Sequence, residues 1–385
     1  MKKLSRLFFL MLIPIGQSLF GGCVVFKSFS GAQTEPLEAP QASLQSILDT
    51  SINEYKLPGL QAGILHHGQA PILAASGTTD VGRRGPRIDL RSSFRVGSTT
   101  KMFVAALVCR MAEQGLLNLD DTIEKWFPDY PQASTIRIRD LLNHTSGIRE
   151  SLFTDGGMMV VSMLNTKKLW DPAEVLKVLG KKSKPTVLID RHFVYANDNY
   201  ILLGLIAERA AGASLAPLLE SEFFDPLNMK DTCLLPWSRR LPDGTVPGYD
   251  EFIPFGPHLI TKDQTSWDSL TFAAGALSSS AADLLLWLDA FFHDGIVSKS
   301  SFEMMRDWVP ANDNGRDNSI VAYGLGIAQY WLDGVILEGH PGGGFGGECY
   351  PFYDPIKDTS YVVVYNVFRK DNPAGKAILQ KMLSF

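Results

Sequence analysis

A serine and a lysine three residues apart are the residues of this chain best suited to catalysis. Ser98 and Lys101 lie in residues 94–103, where Gly97 and Ser98 suit a strand-to-helix corner and an apolar helical face follows Lys101. At the start of a helix, the hydroxyl and the amine would share one face. Burial on that first turn would favour the neutral, proton-accepting amine. The spacing therefore predicts a nucleophilic serine that is held and activated by lysine.

A helix-capping serine followed by an exposed lysine would show the same spacing. Two other motifs distinguish a catalytic pair from this structural alternative. The first is a Tyr-x-Asn triplet formed by Tyr195 and Asn197, after a short strand-like run. The second is a His-x-Gly triplet, His340 to Gly342, which continues into Gly343 and follows the apolar run 335–337. A phenol, an amide and an imidazole are all groups that can move protons or hold a polar substrate.

The order of these motifs resembles the serine penicillin-recognising superfamily. Within it, the chain is most similar to the branch of class C β-lactamases, D-alanyl-D-alanine carboxypeptidases, D-aminopeptidases and related esterases. The resemblance runs from about residue 43 to the end of the chain and includes the connecting segments 115–121, 140–147 and 275–284. It implies a site in a cleft between a sheet and a helical region.

The resemblance assigns a role to each residue. Ser98 would form an acyl-enzyme, which water later cleaves. Lys101 and Tyr195 are both candidate bases, because a phenol beside a lysine ammonium is easier to ionise. Asn197 would donate a hydrogen bond to the amide or ester of the substrate. A turn residue that bonds its own backbone is the other interpretation of this asparagine.

His340 stands where many β-lactamases carry the lysine of a Lys-Thr-Gly motif. We expect it to hold a substrate carboxylate, though less firmly than lysine, since imidazole is only partly charged near neutral pH. Pro341 removes a hydroxyl and a backbone donor, which argues against a dedicated β-lactamase. By family position Gly342 and Gly343 would contact substrate, and the N–H groups of Gly343 and Ser98 would form an oxyanion hole.

The predicted elements indicate an α/β (α+β) fold, and the resemblance implies that it is of the β-lactamase/transpeptidase-like class. Strand-like runs at both ends surround a mostly helical middle, which favours one antiparallel sheet built from both ends, flanked by helices, with the helical region inserted. We expect a signal or anchor over 1–32, a linker over 33–42 and a catalytic domain over 43–385. Within that domain, 43–100 and 320–385 form the α/β part, and 101–319 the mainly helical part.

The N-terminus has the basic and apolar regions of an export signal. Three interpretations stay open: a lipoprotein acylated at Cys23, cleavage after Ala32, and an uncleaved anchor that extends through Phe26. Phe20 stands where a bacterial lipobox usually has leucine. All three place the catalytic domain in the cell envelope, in the periplasm or on the outer surface, with membrane contact only through this segment.

Composition excludes few further classes. A net charge of −5 gives no reason to expect a nucleic-acid partner, and nothing beyond the N-terminus is long and apolar enough to cross a membrane.

We expect no cofactor and no metal, because no C-x-x-C pair exists and His66 and His67 would point to opposite strand faces. The glycine pattern 342–347 is not followed by a helix, so it is no dinucleotide site. One disulfide among Cys109, Cys233 and Cys349 stays open, with Cys109 expected in the core.

These observations predict an exported serine hydrolase, with a D-alanyl-D-alanine carboxypeptidase as the leading interpretation. A short-acyl esterase, a D-aminopeptidase and a weak class C-like β-lactamase are the alternatives. A penicillin- or peptide-binding sensor without turnover is the alternative of another class. The expected partner is a small-molecule or cell-wall peptide substrate. The sequence leaves the oligomeric state open.

Overall fold

A large antiparallel sheet, with helices on both faces, organises the computed structural model of this protein. The structure describes residues 39–154, 156–182, 192–238, 245–250, 258–259, 264–311, 319–344 and 346–385. The part from Glu38 to Phe385 is one compact unit. The predicted signal 1–32, Cys23 and residues 33–38 of the predicted linker lie outside the described residues.

The strands of the described residues are short except in the main sheet. They are β1 (Gly59–His66), β2 (Ile72–Gly77), β3 (Phe94–Arg95), β4 (Cys233–Leu234), β5 (Tyr249–Asp250), β6 (His258–Leu259), β7 (Leu277–Ser279), β8 (Val309–Pro310), β9 (Ile320–Tyr323), β10 (Ala328–Leu332), β11 (Val335–Gly339), β12 (Gly342–Gly344), β13 (Gly347–Asp354), β14 (Thr359–Tyr365) and β15 (Val367–Phe368).

The helices alternate with these strands through the middle of the chain. They are α1 (Ala39–Glu54), α2 (Thr100–Glu113), α3 (Ile138–Leu142), α4 (Gly156–Leu164), α5 (Pro172–Lys182), α6 (Asn197–Ala211), α7 (Leu215–Leu219), α8 (Thr265–Thr271), α9 (Ala281–Asp289), α10 (Lys299–Met305) and α11 (Ala374–Met382). Single turns of tighter or wider helix occur at Gly97–Thr99, Ile123–Lys125, Glu220–Phe224, Phe272–Ala274 and Ala290–Asp294.

Strands from both ends of the chain form the main sheet, which confirms the predicted fold class. Its order is β2-β1-β14-β13-β11-β10-β9-β8, with β12 paired to β13. The N-terminal β1 pairs with the C-terminal β14, so that Leu60 lies opposite Tyr365. Every residue of β14 is buried. A strand whose apolar and polar residues alternate has one buried and one exposed face. This valine-rich strand is instead covered on both faces.

Neighbouring valines of β14 face different cores because side chains alternate across a strand. Val363 packs with α1 and α11, in a core that contains Leu48 and Ile378. Val362 and Val364 belong to the larger core that includes α2, α6 and α9. Helices therefore cover both faces of the sheet. The larger core includes α2, which begins two residues after Ser98.

Two differences from the sequence analysis have local causes. The first helix begins at Ala39, so the predicted linker 33–42 is wrong for its last four residues. Pro40 falls in the first turn, where its missing N–H is not needed by the helix. The sequence of 323–331 predicts one of the strand-like runs near the C-terminal end, but the structure has two strands there, β9 and β10, separated by a turn that contains Gly326 at φ 81°. No single helix of the described residues is long and apolar enough to cross a membrane.

Candidate active site

Ser98 lies where β3 turns into α2. It occupies the helical turn Gly97–Thr99, and the backbone of Gly97 has φ 51°. A Cβ atom at Gly97 would lie 2.9 Å from the backbone nitrogen of Gly343. Only glycine combines this conformation with so close an approach. The corner thus brings Ser98 next to the glycine-rich strand β12, as the sequence predicted.

Lys101 is fully buried one turn further along α2. Its Nζ donates to Ser98 Oγ at 2.9 Å, to Asn197 Oδ1 at 2.8 Å and to the carbonyl oxygen of Ala274 at 2.7 Å. Three oxygen acceptors match the three donors of an ammonium. The hydrogen bonds thus fit an ammonium, whereas the sequence analysis expected burial to favour the neutral amine.

Tyr195 lies on the other side of the serine. Its hydroxyl is 2.8 Å from Ser98 Oγ, and its ring centroid is 5.0 Å from Lys101 Nζ. The ammonium faces the tyrosine ring, and the tyrosine hydroxyl donates to the serine oxygen. Ser98, Lys101 and Tyr195 thus converge within hydrogen-bonding distance, as the motifs predicted.

His144 positions the segment that carries Tyr195. It follows α3 with φ 59°, is fully buried, and its ring centroid lies 4.3 Å from that of Tyr195. Its Nδ1 accepts from the backbone N–H of Ala196 at 3.3 Å and contacts Asn199 Nδ2 at 3.0 Å. These contacts give His144 a structural role after α3.

Glu150 fixes Asn197, the first residue of α6. One carboxylate oxygen accepts from the backbone N–H of Asn197 at 2.7 Å and from its Nδ2 at 2.9 Å. Because the amide oxygen accepts from Lys101, both ends of the side chain are held within the protein. Asn197 lines the cavity, so its predicted contact with substrate stays a prediction.

His340 differs from its expected role. Its side chain is buried with 1% exposure, directly after β11. Nδ1 lies 2.7 Å from the carbonyl oxygen of Pro341 and Nε2 lies 2.8 Å from the hydroxyl of Tyr323. Burial, with the nearby charge of Lys101, lowers the pKa of His340 to about 3. A neutral, buried imidazole offers neither charge nor access to a substrate carboxylate.

The two glycines of β12 have different surroundings. At Gly342 a Cβ would lie 1.8 Å from the carbonyl oxygen of Val96, so this residue allows backbone to pack on backbone and does not line the cavity. Its expected contact with substrate is therefore not supported. Gly343 lines the cavity beside Ser98. The oxyanion hole formed by the N–H groups of these two residues stays a prediction.

The cavity beside Ser98 encloses about 460 Å³, including space open to solvent. An ion pair forms part of its wall: Arg95 Nε lies 2.8 Å from Asp268 Oδ1, and a terminal nitrogen lies 2.9 Å from Oδ2. The two side chains are only 12% and 8% exposed. The cavity is lined by Arg95, Gly97, Ser98, Phe153, Asn197, Trp267, Asp268, Thr271, Ala274, Gly275, Gly343, Gly344 and Gly347.

Sequence reasoning missed Glu150 and the Arg95–Asp268 pair. Arg95 had a usable signal, since a basic residue on a strand just before the nucleophile corner needs a buried partner. Asp268 and Glu150 had none, because their partners lie far away in the sequence. The cysteines gave a clear result: Cys109, Cys233 and Cys349 are buried free thiols, and burial raises the pKa of each to about 12.

Comparisons with known proteins agree with this geometry. A profile of the Beta-lactamase family matches residues 44–382. Penicillin-binding protein 4 of Amycolatopsis lactamdurans is 27% identical over 341 residues, which are 84% of this chain and 80% of that protein. A penicillin-binding protein of Bacillus subtilis (strain 168) is 26% identical over 263 residues, which are 66% of this chain and 56% of that protein. The chain spans about half the length of the first curated relatives it matches, since it covers 48% of Protein flp of Staphylococcus aureus (strain MW2).

Solved structures share the fold. D-amino acid amidase from Ochrobactrum anthropi SV3, complexed with L-phenylalanine amide, is 25% identical with a TM-score of 0.78, over 89% of this chain and 97% of that one. The octameric penicillin-binding protein homologue from Pyrococcus abyssi is 25% identical with a TM-score of 0.71, over 89% of this chain and 77% of that one. The serine, lysine and tyrosine that meet at the cavity, together with the matched profile, show that this chain belongs to the Beta-lactamase family within the serine hydrolase superfamily.

Proposed function

We propose that the protein is a serine hydrolase that cleaves small amides of D-amino acids through an acyl-enzyme at Ser98. The observation that carries the proposal is the contact of Ser98 Oγ with both Lys101 Nζ and the hydroxyl of Tyr195, beside an open cavity. A hydroxyl held by a cation and by a phenol can be deprotonated as it attacks a carbonyl. The similarity to a D-amino acid amidase over nearly its whole length supports the substrate class.

Tyr195 is the base in this proposal. The ammonium of Lys101 is committed to three oxygens, so it holds Ser98 and stabilises a phenolate. Ser98 Oγ attacks the substrate carbonyl while its proton passes to Tyr195, and the N–H groups of Ser98 and Gly343 stabilise the oxyanion. Tyr195 returns the proton to the leaving amine. Water, which gives a proton to the same phenolate, then attacks the ester carbonyl. Tyr195 returns that proton to Ser98 Oγ as the ester bond breaks and the acid leaves.

The charges of the cavity wall favour a substrate with an amino group over one with a free carboxylate. Among the described residues that line the cavity, the one cation is Arg95, and its guanidinium is already paired with Asp268. His340 is neutral and buried. A carboxylate offers about four lone-pair positions, of which Arg95 uses two, so Asp268 can still accept from an ammonium. The neighbouring rings of Phe153 and Trp267 suit an apolar side chain.

A D-alanyl-D-alanine carboxypeptidase is the second candidate. Two of the curated relatives are named as penicillin-binding proteins, which favours it. Such an enzyme has to recognise a carboxylate, and Arg95 would have to exchange Asp268 for the substrate to do so. The carboxypeptidase therefore requires the Arg95–Asp268 ion pair to open, whereas the amidase can keep it closed.

Rates with four substrates test the proposal. We expect kcat/KM to be highest for D-phenylalanine amide, lower for a peptide that ends in D-alanyl-D-alanine and for a nitrophenyl ester, and lowest for a chromogenic cephalosporin. L-phenylalanine amide is the control for configuration, and Ser98→Ala is the control for the nucleophile. Faster cleavage of the peptide than of the amide would favour the carboxypeptidase. Unchanged rates in Ser98→Ala would exclude the mechanism.

Asp268→Asn separates the two candidates further. Loss of a hydrogen bond to a charged group costs roughly 1.5–3 kcal/mol, so kcat/KM for the D-amino acid amide should fall about ten- to a hundredfold. Cleavage of a peptide with a free carboxylate should hold or rise, because Arg95 loses its partner. Equal losses for both substrates would mean that Asp268 only holds Arg95 in place. A thermal unfolding curve controls for loss of the fold.

We also propose that the protein acts in the cell envelope, tethered through Cys23. The basic and apolar residues before Cys23 support this location. Metabolic labelling with a radioactive fatty acid should mark the wild-type chain and spare Cys23→Ser. Labelling of neither form would leave cleavage after Ala32 or an uncleaved anchor, which N-terminal sequencing distinguishes. Labelling of both forms would place the fatty acid on another residue and overturn the tether at Cys23.

A further inference from the structure

Two histidines and two aspartates converge on the surface, among residues that do not line the cavity. His67 follows β1, Asp289 ends α9, His293 lies in the wide turn Ala290–Asp294, and Asp358 lies between β13 and β14. One ligand atom from each of His67, Asp289 and His293 lies within 4.8 Å of the others. Three separate segments of the chain thus bring nitrogen and oxygen donors to one place.

Both imidazoles point a nitrogen at the same carboxylate oxygen. The Nδ1 atoms of His67 and His293 lie 2.8 and 3.2 Å from Asp289 Oδ1. The two rings are stacked, with centroids 3.7 Å apart and planes at 19°. Ligands bound to one tetrahedral zinc ion at about 2.0–2.1 Å lie about 3.3 Å apart. The two nitrogen–oxygen distances are close to this spacing. Because zinc binds in the plane of an imidazole, one of the stacked rings would have to turn for both to share an ion.

The hydrogen bonds of His293 leave its Nδ1 facing only acceptors. Nε2 lies 2.7 Å from Asp358 Oδ1, which also accepts from the hydroxyl of Tyr353 at 2.9 Å. Nε2 therefore carries the proton. Nδ1 faces the carbonyl oxygen of Asp289 at 3.0 Å in addition to its Oδ1. Nδ1 of His293 and the oxygens of Asp289 thus lie close together, as donors to one cation would.

We propose that His67, Asp289 and His293 bind a divalent zinc-type cation, with Asp358 orienting His293. Two imidazole nitrogens and a carboxylate oxygen form a donor set that late first-row metals prefer, and water would complete a tetrahedron. A carboxylate that accepts from the second nitrogen of a ligating histidine fixes its tautomer and raises its basicity. The ion would join the end of α9 to the turns after β1 and β13, so its role is structural.

Zinc titration of the full chain, without a histidine tag and after treatment with a chelator, tests the proposal. We expect one zinc ion per chain by calorimetry and by elemental analysis, and a rise in the unfolding temperature on binding. Cobalt in place of zinc should give the visible absorption of a tetrahedral site. His293→Ala and His67→Gln should abolish stoichiometric binding, and Asp358→Asn should weaken it about 10–100-fold.

His66→Asn is the matched control. His66 precedes His67 but contacts Thr359 Oγ1 at 2.7 Å, so this variant should bind zinc as the wild type does. Absence of binding by the wild type would overturn the proposal. Stoichiometric binding that persists in both His67→Gln and His293→Ala would place the ion elsewhere. Circular dichroism of each variant verifies the fold.

Discussion

At the scale of single residues, the contacts of Ser98 give its two neighbours different roles. Lys101 donates to three oxygens, one of which is the serine itself. Tyr195 has its hydroxyl at the serine, and its ring faces the ammonium. A cation with all its donors in use stabilises negative charge nearby, whereas the phenol can accept a proton and release it. Tyr195 is therefore the residue whose removal should affect proton transfer most directly.

Tyr195→Phe should slow acylation by about 10²–10⁴-fold, because proton transfer by a positioned side chain contributes that much. The variant keeps the ring that packs on His144, so its unfolding temperature should be close to that of the wild type. Labelling by a fluorescent fluorophosphonate, followed over time, measures the rate. Tyr55→Phe, which loses an exposed bond to Glu54, is the matched control. Normal labelling of Tyr195→Phe would make Lys101 the base.

His340 should affect stability in acid rather than the pH profile of catalysis. Its pKa is about 3 when folded and about 6.5 when unfolded, so the folded state binds fewer protons between these values. The contribution of neutral His340 to the free energy of unfolding is fully present above about pH 6.5 and decreases as the pH falls toward 3. The decrease from pH 7 to pH 5 is about 2 kcal/mol.

Urea unfolding of the wild type and of His340→Asn at pH 7 and pH 5 measures this contribution. The wild type should lose about 2 kcal/mol more than the variant over this interval. Equal losses would show that the imidazole titrates normally and is accessible. In that case, the carboxylate contact expected from the sequence would regain support.

At the scale of elements, the packing of α6 against the turn Phe272–Ala274 determines where Lys101 lies. The carbonyl of Ala274 accepts from Lys101, and Gly204 of α6 faces this turn. A Cβ at Gly204 would lie 2.4 Å from Ala273 Cβ and 2.7 Å from the ring of Phe272. The glycine thus allows the helix and the turn to approach closely enough for the lysine contact.

Gly204→Ala should destabilise the protein by about 1–3 kcal/mol, because overpacking outweighs the better helix propensity of alanine. It should also lower kcat, since the turn that holds Lys101 has to move. Gly156→Ala at the start of α4, where a Cβ meets nothing within 4 Å, is the control and should be neutral or slightly stabilising. Chemical unfolding and amide hydrolysis measure both effects. A neutral Gly204→Ala would mean that the turn adjusts freely.

The sequence predicted the local parts of the site better than the parts that depend on tertiary contacts. Ser98 and Lys101 follow from one helical turn, and Tyr195 from a motif. The orientation of His340 did not follow, because a strand residue faces the opposite side of the sheet after a shift of one position. The partnership of Arg95 with Asp268 depends on two segments 173 residues apart in the chain. No local pattern encodes such a contact.

At the scale of the whole molecule, the unit that begins at Glu38 contains all described parts of the candidate site. Residues 38–385, expressed alone, should therefore unfold in one transition and retain the kcat/KM of the full chain. A chain that ends after Asp354 should not fold, because it lacks β14, which joins β1 to β13. Coincident unfolding curves from circular dichroism and tryptophan fluorescence would show that residues 38–385 unfold in one transition. Loss of activity in residues 38–385 would give the N-terminal segment a role in the site.

The pairing of β1 with β14 also determines when the protein can fold during its synthesis. The backbone N–H of Gly59 donates to the side chain of Asn366, which is 307 residues away. Sheets with such distant contacts form slowly, and this one cannot close before β14 has left the ribosome. A translocation channel that accepts only unfolded chains would therefore receive the residues before β14 while the sheet is still incomplete. A site that assembles only after β14 is made is, for this reason, compatible with the export that the N-terminal residues predict.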